Sequence, residues 1–202
     1  MGDAINACTN LLGLLFRVPP RQIFFWSAAA VIPALFVISI LRQWLATRRF
    51  VRSLRGTAII PQTLVEVFHD LGAREQDLAF VESPATLIFC AGLIRPRIFI
   101  SRGAFRALDA KELRAVLAHE LHHARKHDPF RGAMFRALQN AFFFIPLVRC
   151  LYKRHLIAKE VAADRAAVRF AEGKLSLASA LYKLSSAPIA SSAAVSAFAD
   201  QR

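Results

Sequence analysis

Acid and cysteine are scarce in this sequence, and each scarcity excludes something. The 202 residues hold 14 Asp plus Glu against 27 Lys plus Arg, for a formal net charge of +13. Such an excess fits either nucleic-acid binding or basic flanks against an anionic membrane leaflet. No aromatic-interleaved basic patch, helix-turn-helix or RNA-binding signature accompanies it, so nucleic acid is not an expected partner. The three cysteines, Cys8, Cys90 and Cys150, are far apart and form no C-x-x-C pair. That argues against a disulfide framework and a cysteine zinc site, and a reducing compartment is the expected setting. Basic residues are also missing from the first ten positions, MGDAINACTN, which carry an aspartate instead. A cleaved signal peptide would begin with a basic region, so the N-terminus is expected to stay.

Charge is missing altogether from Ile23 to Leu41, IFFWSAAAVIPALFVISIL. A helix of that length, at about 1.5 Å per residue, nearly crosses a hydrocarbon core of ~30 Å. Membrane helices tolerate a residue such as Pro33, and Trp26 and Trp44 sit where interfacial anchors would. The 55% hydrophobic content agrees with contact with lipid. Arg42, Arg48, Arg49, Arg52 and Arg55 follow with no acid among them, whereas only Arg17 and Arg21 precede. The positive-inside bias puts the remainder in the cytoplasm, so the expectation is an integral protein of the inner or plasma membrane. Ala4 to Phe16 is a shorter apolar stretch, enough for an interfacial or partial helix.

Beyond the span, residues 61–71 have helical spacing, with Pro61 at the start and Gly72 as a stop. Residues 78–83, 86–92 and 96–101 read as short strands, with Ile98 and Ile100 on one face and Phe99 on the other. Asp109 and Glu112 have capping-box spacing before a helix striped with Leu113, Val116, Leu117 and Leu121. Pro129 should end or kink that helix. A further helix is expected over about 130–152; within it the apolar run 137–148 suits a core or re-entrant segment. Another helix should cover 156–171, closed by Gly173, before an Ala/Ser-rich tail. The fold class is therefore α+β, mainly α, with a small β-sheet, preceded by a transmembrane helix.

Four of the six histidines fall within HELHHARKHD, residues 119–128. His119, Glu120 and His123 make H-E-x-x-H. On a helix, residues four apart differ by only about 40° around the axis, so the two imidazoles face one way and can share one zinc ion. Glu120, about 100° from His119, sits beside the metal without having to ligate it. There it can accept a proton from the attacking water, whose pKa the metal lowers, and pass it to the leaving amine. A third protein ligand is needed. After residue 128 the helical stretches offer few acids, and Glu160 and Asp164 share a face at i,i+4. Glu160 is preferred as the ligand over His155 or Asp128, and Asp164 would fix the tautomer of a ligand histidine. Asp128 suits either that supporting role or a helix cap. His122 points off the ligand face, His127 suits a helix end, and His69 a surface.

CAGLIRPRIFIS followed by LDAKELRAVLAHELHHARKHDPF resembles the protease region of the BlaR/MecR-type membrane zinc metallopeptidases, the antirepressor signal transducers. The E-x-x-x-D at 160–164 is similar to their third ligand and supporting aspartate, and HtpX-like and CAAX-processing membrane proteases share the logic. The resemblance covers about residues 80 to 185. It implies a gluzincin-type metallopeptidase domain at the cytoplasmic face, with one Zn2+ per chain held by His119, His123 and Glu160, and Glu120 as catalytic base. The expected organisation is an N-terminal segment 1–22, a transmembrane helix 23–45, a zinc metallopeptidase domain 46–187 and a flexible tail 188–202. The expected partners are membrane lipid, a protein or peptide substrate and a membrane sensor partner, unless the protease stands alone. One span and no extracellular sensor are expected, so antibiotic sensing is not carried over. Substrate is expected to lie extended along an edge strand at Ile98, Phe99 and Ile100. Tyr152, Arg154 and His155 are the candidates for stabilising the oxyanion.

Overall fold

The computed structural model describes residues 19–54, 59–170 and 174–186. The stretch Ala4 to Phe16, the Gly173 stop and the tail 188–202 lie outside the described residues. The first helix, α1 (Pro20–Ser53), opens with proline at its first position, where a missing N–H costs nothing, and accommodates Pro33 within. Among the described residues, Phe25–Ser53 is the one stretch long and apolar enough to cross a membrane. The rest of the protein buries only 6% of its apolar window, so this helix is not an ordinary core helix. It runs on past residue 45 to Ser53, carrying Arg48 with its guanidinium 4.5 Å over the Trp44 ring.

Helix α2 (Gln62–Asp70) and a short 3-10 turn lead into three strands: β1 (Leu78–Val81), β2 (Ile88–Ala91) and β3 (Arg97–Ser101). The sheet order is β1-β3-β2, with β1 parallel and β2 antiparallel to β3. Strand alternation divides the core. Leu78, Phe80, Ile88, Ile98 and Ile100 face α4 (Ala110–Arg125) and its stripe of Leu113, Val116, Leu117 and Leu121. Ala79, Val81, Phe89, Ala91 and Phe99 face the other way, onto Phe50 of α1. Phe89 stacks on Phe99 at 5.2 Å between ring centroids and meets Phe50 at 5.4 Å. Helix α1 is thus also one wall of the sheet's second core. The β2–β3 turn depends on Gly92 at φ 117, where a Cβ would lie 2.5 Å from the Arg95 carbonyl oxygen.

β3 was the expected edge strand, and the topology corrects that: β3 is central, paired on both sides, with Ile98 and Ile100 fully buried and Phe99 covered by Phe89. The sheet edge next to α4 is β2.

After the short helix α3 (Arg102–Ala107), α4 begins with the expected capping box. Asp109 Oδ1 accepts from the Glu112 N–H at 2.8 Å, and Glu112 Oε2 accepts from the Asp109 N–H at 2.9 Å. Glu112 is buried and also accepts from Ser179 Oγ and Lys183 Nζ, tying α4 to α7 (Lys174–Ser186). The end of α4 differs from expectation. The helix stops at Arg125, and His127 takes a left-handed conformation (φ 53), so the chain turns sharply. Pro129 then lies in the first turn of α5 (Asp128–Ala141), where it starts a helix rather than breaking one. The single helix expected over 130–152 is two: α5 ends in a turn at Phe142–Ile145, and α6 (Pro146–Phe170) runs unbroken through the helix expected at 156–171. α5 packs along α1, burying Ala133, Ala137 and Ala141 at four-residue spacing.

Removing the cap should be measurable. Asp109→Ala is expected to cost about 1 kcal/mol, seen as a fall of roughly 2–4 °C in the unfolding midpoint of the detergent-solubilised protein. Burial raises the Glu112 carboxyl, but the hydrogen bonds from Lys183, Ser179 and the Asp109 backbone outweigh it and hold the group below the ordinary value of 4.5. Its contribution is therefore present above about pH 4.5 and lost as pH falls through the lowered value. Glu112→Gln should be less stable at neutral pH and should show less acid sensitivity than the parent.

Candidate metal centre

His119 and His123 lie on the inner face of the second half of α4, one turn apart and both 8% exposed. The chain pivots at His127 and sets Asp128 back against the helix it has just left. Asp128 Oδ2 lies 2.8 Å from His123 Nδ1 and is itself 4% exposed. Helix α6 crosses α4 and presents two carboxylates. Asp164 Oδ1 is 3.0 Å from His119 Nδ1, close enough for a hydrogen bond though off its angle. Glu160 Oε2 is 3.6 Å from Nε2 of both histidines.

A neutral imidazole carries one N–H. With each Nδ1 turned to a carboxylate, both Nε2 atoms present lone pairs, and these face each other at 3.1 Å. Two lone pairs and a carboxylate oxygen converging on one point repel unless a cation stands between them. The three ligand atoms form a triangle with edges of 3.1, 3.6 and 3.6 Å. The point equidistant from them lies about 2.0 Å from each, matching a zinc–nitrogen bond of ~2.0–2.1 Å. The residues therefore fit a zinc ion held by two histidines and one glutamate.

Without a cation, a proton has to do the same work. Burial disfavours charge on His123, but Asp128 and Glu160 outweigh it and push the imidazole up to about 9. Glu160 is held well below the carboxylate range, first by His119 and then by His123, against a smaller opposing effect of burial. Metal entry would displace the proton on His123.

Glu120 is buried and lines the same cavity as the ligand set. Tyr152 also lines it, with its hydroxyl accepting from Arg136 Nη2 at 3.1 Å. Arg154 does not line it, and His155 stacks on Phe135 away from the ligands. Of the alternatives for third ligand, Asp128 stands behind His123, and the group whose ligand atoms converge is His119, His123 and Glu160. His122 and His127 do not join the ligand set, and His69 is exposed. Ile98, Phe99 and Ile100 do not reach the cavity; Phe89, Cys90, Ala91 and Gly92, from β2 and its turn, do. Burial first, then the carboxylates of Glu120 and Asp128, push the Cys90 thiol up, so it is an apolar wall.

Lys159 was missed by the sequence reading. It is 16% exposed and places Nζ 3.3 Å from Glu160 Oε1, the oxygen turned away from the histidines. Its position beside the proposed ligand was the available signal.

The family model described as BlaR1 peptidase M56 matches residues 21–201. The regulatory protein BlaR1 of Bacillus licheniformis is 31% identical over 97 residues, which are 48% of this chain and 15% of that protein. The chain thus spans about 15% of the length of the curated relative it matches.

Purified protein should carry about one zinc per chain by elemental analysis. His119→Ala combined with His123→Ala should abolish that content, and retained zinc would sink the site. Asp128→Asn should keep the ligands but weaken zinc binding by about 10–100-fold in a chelator competition.

Proposed function

This chain belongs to the BlaR1 peptidase M56 family, and from that premise we propose that it is a membrane-anchored zinc endopeptidase that cuts a protein substrate at the cytoplasmic face. The observation that carries the reading is the convergence of His119, His123 and Glu160 with Glu120 in one cavity. His119, His123 and Glu160 would hold zinc, with Asp164 and Asp128 fixing the ligand tautomers. When bound, zinc supplies a Lewis acid that polarises a carbonyl and acidifies water. Glu120 takes the proton of the attacking water and delivers it to the leaving amine. Arg136 holds the Tyr152 hydroxyl in the cavity, where it is the favoured group for orienting substrate.

An extended substrate pairs with the free edge of β2, whose Cys90 and Ala91 border the cavity. The cytoplasmic assignment is supported by the arginines that follow the apolar window of α1. Regulatory proteolysis, with a membrane sensor partner supplying the signal, is the setting that family membership favours.

Glu120→Gln tests the catalytic reading against a zinc-stabilised adaptor role. It should retain zinc and lose about 10²–10⁴-fold in cleavage rate. Mass spectrometry of new peptide termini in cells expressing each form should show products only with the parent. Identical products and cellular effects from both forms would remove catalysis from the function.

A further inference from the structure

The α5–α6 turn has an unusual surface. Phe143 is 75% exposed, Phe144 58% and Leu147 64%, a contiguous apolar tip with no polar side chain from Ala141 to Val148. Water is a poor solvent for such a patch, and its position says what replaces it. α5 runs antiparallel to α1. Gln43 Nε2 donates to the Ala133 carbonyl, and Asn140 Nδ2 donates to Ser39 Oγ at 2.9 Å, so rising numbers on α1 meet falling numbers on α5. Beyond Asn140 the chain therefore continues alongside the apolar half of α1, N-terminal to Ser39. The seam has the character of helix packing in lipid: small residues (Ala133, Ala137, Ala141) let the backbones close, and a polar pair joins them. On the α6 side the tip is followed by Arg149, an exposed long cation able to reach headgroups while the residues before it sit deeper.

We infer that the turn Phe142–Leu147 is a re-entrant hairpin tip inserted into the acyl chains of the cytoplasmic leaflet, beside α1 and not crossing the bilayer. The inference rests on α1 spanning the membrane. The metal centre is then held clear of the lipid. Glu160 lies fourteen residues along α6 from Pro146, about 21 Å of helix at ~1.5 Å per residue. Substrates are accordingly cut in a segment outside the bilayer, not within it.

The test uses the full chain in phosphatidylcholine vesicles, with Trp26 and Trp44 replaced by Phe and one new tryptophan at a time. Phe143→Trp should emit at short wavelength and be quenched severalfold by acyl-brominated phosphatidylcholine, as should Val37→Trp on the exposed face of α1. Leu175→Trp, exposed on α7, should be neither. Quenching of Val37→Trp but not Phe143→Trp overturns the inference and leaves the span intact. Failure of both shows that α1 itself does not insert. A blue-shifted but unquenched Phe143→Trp means that protein, such as a second copy of the chain, covers the tip, and this too overturns the proposal. A second measurement avoids the tryptophan background. With Cys8, Cys90 and Cys150 replaced by Ser, Phe144→Cys should resist a membrane-impermeant maleimide until detergent is added. Labelling as fast as a Leu175→Cys control overturns the proposal.

Discussion

His119 Nε2 and His123 Nε2 face each other at 3.1 Å inside the protein, and much of the architecture serves to hold them there. The pair is unfavourable alone, because each ring has its N–H turned toward a carboxylate and its lone pair toward the other ring. Asp128 can reach His123 only because the chain reverses at His127, one residue earlier, in a conformation that costs a non-glycine residue about 1 kcal/mol or more. Asp164 reaches His119 only because α6 packs against α4 beside the first residue of the motif. Local strain at the turn and the crossing of two helices both end at the same pair of nitrogens. A cation held by these three ligand atoms would relieve that repulsion, which would link metal binding to folding.

The charge distribution follows from the same geometry. Acids are few, and a disproportionate share of them are spent where a cation or an N–H must be met: Glu112 at the cap, Asp128, Glu160 and Asp164 at the centre, Glu120 beside it. Basic residues gather after the apolar part of α1, at Arg42, Arg48, Arg49 and Arg52, with no acid among them. The large positive charge thus needs no nucleic acid to account for it. It is what remains when carboxylates are few and largely confined to structural and chemical posts.

What was legible in the sequence was whatever depends on near neighbours along the chain. The capping box at Asp109 and Glu112, the i,i+4 imidazoles on one helix face and the alternation of Ile98, Phe99 and Ile100 are local patterns with the expected geometry, and the Glu160–Asp164 pair does fall beside the imidazoles, Asp164 without the expected hydrogen bond. Strand order was not legible, because nothing in a strand says whether its partners lie on one side or both. β3 was therefore taken for the edge that β2 occupies. The break between α5 and α6 was hidden by the apolar run across it. Pro146, the first residue of α6, was the signal, since proline at that position starts a helix. Pro129 carried the same signal for α5, where a helix-breaking sense competed with a helix-starting one.

The break at Phe142–Ile145 also explains why α6 is long. A helix that only presented Glu160 and Asp164 would need two or three turns. α6 instead has 25 residues and reaches from the exposed aromatic tip to the metal ligands without a cap between. Its partner α5 covers the same distance in reverse, from Asp128 behind His123 to Asn140 on Ser39 of α1. Both arms of the hairpin therefore run between the exposed apolar tip at one end and the candidate metal centre at the other. α5 packs on α1 along one side and on α6 along another, so the positions of Asp128 and Glu160 are set by one packed pair of helices. Those two groups act on the same histidine from opposite ring nitrogens. A change of a few tenths of an ångström at either would alter the fit of the triangle to a metal.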